Sequence, residues 1–306
     1  MSNKNSFKED LYNFSVGFCM GGANVIPGVS GGTMLFIMGA FTKLTDAISD
    51  IANLDTLKLF FSGKWKALYQ KIQIRFLAGI ILGVLFSFAT LAKLIVWMLE
   101  KYPLYTYAFF FGLIAASIIT VNKQMKKWTP AAFISFMVSA AIAFGIIMLI
   151  PVNGGSQWYM MILYGAICII AMILPGLSGS FLLLIFGQYE RIWKTVGDLA
   201  HFQIDAGQLL PIVFFAIGAV IGLGAFVHIL NFLLKRYYNE TIAALIGFMV
   251  GAIPRLWPWQ HESGKSFAFD VPVYDITLLW TLLCIISGLI LILLVEFSAG
   301  KKQMEK

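Results

Sequence analysis

Two five-residue stretches carry most of the chemistry in this chain: Pro27-Gly28-Val29-Ser30-Gly31 and Pro175-Gly176-Leu177-Ser178-Gly179. Each sits inside a long apolar segment. A proline there removes an amide donor and ends the helix that leads into it, and the glycines permit a sharp turn and close backbone approach. Ser30, Thr33, Ser178 and Ser180 then place hydroxyls at the start of the outgoing arm, beside Gly32 in the first copy. A helix broken in a low-dielectric setting exposes backbone N–H and C=O groups that must line a cavity or be buried in protein. Bare N–H groups and hydroxyls at a helix start suit an anion, phosphate or carboxylate above all. The bland alternative is a small-residue motif that lets helices cross closely; two copies at matching helix-breaking positions weigh against it.

Candidate cations for such an anion are Lys43, Arg75 and Arg191, each of which also fits a snorkelling residue at the membrane interface. Glu190 and His228 are the candidates for carrying a coupling proton. Burial beside an apolar wall raises a carboxylate's pKa, and an ionisable group within an apolar run is a functional candidate by default. Their bland readings are a surface pair with Arg191 or Lys194 for Glu190, and a neutral, hydrogen-bonded side chain for His228.

The elements that position these residues follow from composition. Hydrophobic residues make up 59% of the 306 and charged residues 12%, and the mean hydropathy is +0.84. A soluble domain carries about 25% charge, so a water-facing globule is excluded. The net charge of +7 does not indicate nucleic acid, because the basic residues lie in short loops between apolar runs. Cys19, Cys168 and Cys284 lie within apolar stretches, without the spacing of a disulfide framework or zinc site. No metal or organic cofactor is expected. The first residues lack a signal-peptide layout, so the first hydrophobic segment is expected to stay in the protein.

The chain reads as two copies of one unit. At an offset of 148, Gly17 falls on Gly165, Pro27 on Pro175, Ser30 on Ser178, Gly39 on Gly187 and Asp50 on Asp198. Downstream, the glycine spacing from Phe76 resembles that from Phe214. The first unit spans 12–150: a broken segment 12–50, an amphipathic stretch 51–75 suited to the interface, and apolar spans at 76–99, 104–121 and 129–150. The second spans 159–297: a broken segment 160–198, then spans at 211–234, 241–257 and 276–296. Each broken segment is too long for one crossing and reads as a re-entrant hairpin, or as two short tilted spans with the same parity.

A hairpin plus three spans is an odd number of crossings, so the second unit should be inverted. With the N-terminus cytoplasmic, the segments on that side hold 15 Lys/Arg and the outside segments five, the sense that the positive-inside rule requires. Trp97, Tyr102, Tyr105, Trp128, Trp158, Tyr159, Trp257 and Trp259 fall at span ends, as belt residues should. The expected fold is an all-α polytopic membrane protein of two inverted-topology repeats, each a re-entrant helical hairpin plus three transmembrane helices. Two oppositely directed broken segments meeting near the midplane is the arrangement of inverted-repeat transporters.

NVIPGVSGGT, MILPGLSGSF and the trailing FGQYERI resemble the bacterial polyprenyl-phosphate transporter family, formerly a domain of unknown function, over nearly the whole chain. The resemblance implies a non-enzymatic translocase in the bacterial cytoplasmic membrane, with both termini cytoplasmic. It would return undecaprenyl phosphate from the outer to the inner leaflet and so recycle the lipid carrier of peptidoglycan and other envelope polymers. It also implies that the two PGxSG segments hold the functional positions. A charged pair follows the glycine in the second half as Glu190-Arg191. Thr42 and Lys43 stand at the equivalent places in the first, which leaves any acid role to the second half. Coupling to protons or another ion gradient and a homo-oligomeric state are compatible with this reading. Two rivals remain: a carrier of a small anion or carboxylate using the same helix ends, and an intramembrane serine hydrolase pairing Ser30 with His228.

Overall fold

A computed structural model of the chain describes residues 3–25, 30–51, 53–149, 154–155, 157–200, 206–263, 266–272 and 274–304. The first broken segment forms α1 (Asn3–Val25), α2 (Gly31–Ile37) and α3 (Phe41–Ile51). The amphipathic stretch folds into α4 (Leu54–Phe61) and α5 (Trp65–Lys71), which expose Phe61, Trp65 and Tyr69 as an interfacial pair of helices would. Then come α6 (Ile74–Lys101), α7 (Pro103–Asn122) and α8 (Pro130–Ile147). The second half repeats the series as α9 (Trp158–Ile173), α10 (Gly179–Ile185), α11 (Tyr189–Ala200), α12 (Ala206–Arg236), α13 (Tyr238–Ala252) and α14 (Ile276–Met304).

The outgoing arm of each hairpin is broken a second time, which the sequence reading did not anticipate. Gly39 (φ +67°) and Gly187 (φ +66°) take the left-handed conformation just past α2 and α10. The following amides reach back to the last turn, Ala40 N to Leu35 O at 2.9 Å and Gln188 N to Leu183 O at 3.0 Å. This glycine-terminated helix end satisfies carbonyls that would otherwise be orphaned. Neither arm is therefore one helix; each is a seven-residue helix followed by an amphipathic one.

Among the described residues, five helices (α6, α7, α8, α12 and α14) are long and apolar enough to cross a membrane. The expected span 241–257 differs: α13 stops at Ala252 after 15 residues and continues as a 3-10 turn, Ile253–Leu256. Pro254 lacks an amide donor and cannot extend the helix. A two-stranded antiparallel hairpin follows, β1 (Gln260–Ser263) and β2 (Ser266–Phe269), so among the described residues the fold is α-helical with one small β element in a loop.

Helix pairing follows the glycines. α1 runs along α6 and α9 along α12, whereas α8 packs along α13 and α14 along α7. The third span of each half thus lies against the second span of the other. A Cβ on Gly17 would stand 2.1 Å from Ile80 O, on Gly165 2.0 Å from Phe215 O, on Gly112 2.0 Å from Ile285 O and on Gly251 2.3 Å from Ala140 O. These helices approach backbone to backbone, as small residues permit in lipid. In α7, 56% of the apolar window is buried inside the protein, against 17% in α12 and in α14. α7 and α13 form the centre, and the outer helices present their apolar faces to lipid.

Candidate functional site

The two breaks meet. Ser30, extended at φ −110° and ψ 138°, caps α2: its hydroxyl accepts from Gly32 N at 3.1 Å. The same hydroxyl donates to Met172 O at 2.9 Å, on the last turn of α9 in the other half. Met172 O is one of the carbonyls that a helix end leaves without an intrahelical partner, so one side chain closes one break and ties it to the other. Gly32 makes this approach feasible, since a Cβ there would stand 2.0 Å from Ile173 O. Pro27 and Gly28 lie outside the described residues.

The helix starts differ in how they are satisfied. Gly31 N donates to Asn24 Oδ1 at 2.8 Å, Gly32 N to Ser30 Oγ, and Thr33 N to Ser30 O at 3.0 Å. The amides of Gly31, Gly32 and Thr33, where bare donors were expected, are therefore already held by the chain's own oxygens, and α2 is closed. In the second half Met172 stands where Asn24 would, and it offers no side-chain oxygen. No side chain caps α10; the Ser178 and Ser180 hydroxyls lie 2.7 Å apart and bond each other. Among the described residues the amides of Gly179, Ser180 and Phe181 take no hydrogen-bond partner. Gly176 sits at φ +88° against Phe248 O and Met249, where any side chain is excluded, and Pro175 is buried beside it. Thr33 is fully buried and its hydroxyl has no partner.

The cations are not gathered around these hydroxyls. Lys43 pairs with Glu9 at 3.3 Å and lies 4.4 Å from the Phe76 ring centroid. Arg75 grips Asp10 with two donors, Nε to Oδ1 at 2.5 Å and Nη2 to Oδ2. Those hydrogen bonds hold the Asp10 carboxyl below the usual carboxylate range. Both pairs stand at the base of the first hairpin, where their neighbours are carboxylates. Arg191 and Glu190 are exposed at the base of the second, lining a cavity of about 720 Å³. His228 is exposed, with Nδ1 3.4 Å from Ser49 Oγ, while the Ser30 hydroxyl donates to Met172 O, so Ser30 and His228 are not paired with each other.

Sequence reasoning passed over three groups. Arg255, assigned to an outside loop, places its guanidinium carbon 5.8 Å from the Phe181 ring centroid, beside the open start of α10. Asn231 donates to Asp46 at 3.2 Å, joining α3 to α12 across the halves. Asn24 was readable, since an asparagine aligned with a methionine signals an unequal cap. Among the described residues no three His, Cys, Asp or Glu side chains gather to hold a metal ion.

Five membrane-length helices among the described residues, around a helix start and a helix end joined through Ser30 and Met172, define a multi-pass α-helical membrane protein. Its sequence places it further: the chain belongs to the undecaprenyl phosphate translocase-like family, whose profile matches residues 20–268 and so includes both PGxSG stretches. It is 38% identical over 251 residues to a polyprenyl-phosphate transporter of Vibrio cholerae serotype O1, covering 82% of this chain and 79% of that one. It is 28% identical over 260 residues to a polyprenyl-phosphate transporter of Staphylococcus aureus, covering 80% and 86%. No solved structure matches it.

Proposed function

We propose that this protein carries a polyprenyl phosphate, undecaprenyl phosphate by family, from the outer to the inner leaflet of the bacterial cytoplasmic membrane for reuse in envelope synthesis. The observation that carries this reading is the contact between the breaks: Ser30 of one half bonded to Met172 of the other, with Ser178 and Ser180 close by in sequence. The polyprenyl tail is soluble in the bilayer, so the phosphate alone needs shelter while it crosses. A charge at the bilayer centre is costly, and hydroxyls, open amides and a nearby guanidinium offset that cost. Here the second half supplies more of them: the start of α10, Ser178, Ser180 and Arg255. The helices α2 and α10 have seven residues each, so individual donors matter more than a macrodipole.

In this reading the halves are inverted repeats with re-entrant hairpins, and both termini are cytoplasmic, as the charge distribution favours. No enzymatic step is assigned to the serines. The test is leaflet exchange of a labelled polyprenyl phosphate in vesicles holding the purified chain. Ser30→Ala with Ser178→Ala should slow exchange at least tenfold and cost about 2–3 kcal/mol of stability for the lost α2 cap, the Ser30–Met172 bond and the Ser178–Ser180 bond. Unchanged exchange in that variant would remove the junction from the path. Inhibition of exchange by small soluble anions, with those anions themselves carried, would favour the small-anion carrier instead.

A further inference from the structure

We propose that the cavity at the base of the second hairpin docks the phosphate headgroup of a lipid before it reaches the junction of the breaks. Its wall comprises Trp158 of α9, Glu190, Arg191 and Lys194 of α11, and Pro211 and Phe214 of α12, around a volume of about 720 Å³. The docking site rests on the reading that a phosphorylated lipid is the cargo.

Two features select such a headgroup. Arg191 and Lys194 stand one turn apart on α11, so they share a face. Both are exposed, and among the described residues neither forms an ion pair. A guanidinium fork and an ammonium together suit phosphate oxygens, and the one carboxylate of Glu190 leaves the lining with net positive charge. Facing them is an apolar side: Trp158, 59% exposed, lies with its ring centroid 6.1 Å from that of Phe214, next to Pro211. Cations against an exposed indole and a phenyl ring fit an anion that carries a hydrocarbon chain; a soluble anion would gain nothing from that wall.

The first half shows what the same place looks like when filled. Lys43, the counterpart of Arg191, is taken by Glu9, and Gln157 stands at the place of Glu9 in the second half. With Gly79 and Gly83 set on Gly218 and Gly222, Arg75 falls on Phe214, while Asp10 falls on Trp158. An ion pair that closes one hairpin base becomes an aromatic pair in the other, and its cations are left for a ligand.

The experiment measures binding of a fluorescent short-chain polyprenyl monophosphate to the full purified chain. Arg191→Gln with Lys194→Gln should weaken binding about tenfold and flatten its salt dependence. Arg191→Lys with Lys194→Arg should stay within about threefold of wild type, since charge is kept, and Lys101→Gln, an exposed cation elsewhere, should change nothing. Unchanged binding in the double glutamine variant overturns the site. So does loss in the charge-conserving variant, equal binding of the polyprenyl alcohol, or displacement of the probe by equimolar inorganic phosphate. Transport in vesicles is read separately. A wild-type chain that binds the probe but carries no lipid removes the transport reading and leaves the docking site. A double glutamine variant that binds and carries like wild type does the reverse.

Discussion

The two hairpins share a backbone plan but not a state of closure. At the first, α2 is capped by Asn24 and Ser30, the base is held by Glu9–Lys43 and Asp10–Arg75, and α3 leans on α12 through Asp46–Asn231. At the second, α10 has no side-chain cap and the base is an open cavity with exposed cations. Among the described residues α11 makes no comparable contact with α6. A handful of differences, Asn24 against Met172 and Asp10 against Trp158 among them, separates the two hairpins. The first base is polar and paired; the second is aromatic and cationic.

The largest effect is expected where the comparison depends on backbone contact. Gly32 of the first half corresponds to Ser180 of the second: a Cβ on Gly32 would stand 2.0 Å from the Ile173 carbonyl oxygen of the opposing break, whereas position 180 already carries one. Gly32→Ser should therefore destabilise the chain by about 3 kcal/mol or more, because backbone on both sides cannot yield. Ser180→Gly should cost about 1 kcal/mol or less. Thermal unfolding of the detergent-solubilised chain measures both. Equal losses would mean that the two starts are packed alike.

Next comes an attempt to make the second base resemble the first. Trp158→Asp with Phe214→Arg installs the Asp10–Arg75 pair at the equivalent place and puts a carboxylate beside Arg191. Lipid-phosphate exchange should fall about tenfold, equivalent to about 1.4 kcal/mol, with little change in stability, since exposed pairs contribute about 0–1 kcal/mol. Exchange at the wild-type rate would show that an open base is not needed.

A smaller effect is expected from the first base itself. Arg75 lowers the pKa of Asp10 in the folded chain, so the pair's contribution is present above the unfolded-state value and is lost as pH falls through the lowered folded value. The difference in unfolding temperature between wild type and Asp10→Asn should be flat from pH 7 to 5 and close only below about pH 4. A difference that already closes between pH 7 and 5 would mean that Asp10 is not held by Arg75.

Much of the frame was legible because the bilayer imposes it. The spans α6, α7, α8, α12 and α14 are long apolar runs with polar ends, and their limits were read to within a few residues, except where α12 and α14 extend past the apolar run. The paired PGxSG stretches were legible because prolines in apolar segments have few other uses. α13 is shorter than its apolar run, since hydropathy does not register that Pro254 ends α-helical hydrogen bonding and turns the last residues into a 3-10 turn. The meeting of Ser30 with Met172 was expected only in outline, and its partners depend on tertiary approach that spacing cannot encode. Lys43 and Arg75 were matched to the motif they are near in sequence, and their partners Glu9 and Asp10, one helix away, were not legible because that pairing depends on tertiary approach.

The smallest expected effect separates a structural hydroxyl from a working one. Thr33 is fully buried beside the closed cap, its amide is held by Ser30 O, and its hydroxyl has no partner. Burying a hydroxyl without a hydrogen bond is unfavourable, so Thr33→Val, nearly the same shape, should leave stability unchanged or raise it by about 1 kcal/mol. A residue present only for packing would improve the protein in this way and leave exchange alone. If Thr33 instead turns its hydroxyl to the phosphate as the first half opens, the more stable variant will exchange lipid several-fold more slowly. The corresponding position in the second half is Phe181, which lies under Arg255 and has no hydroxyl to lose. Phe181→Leu should therefore affect exchange only through the guanidinium it supports, and comparing the two variants shows whether the closed half takes part in the crossing.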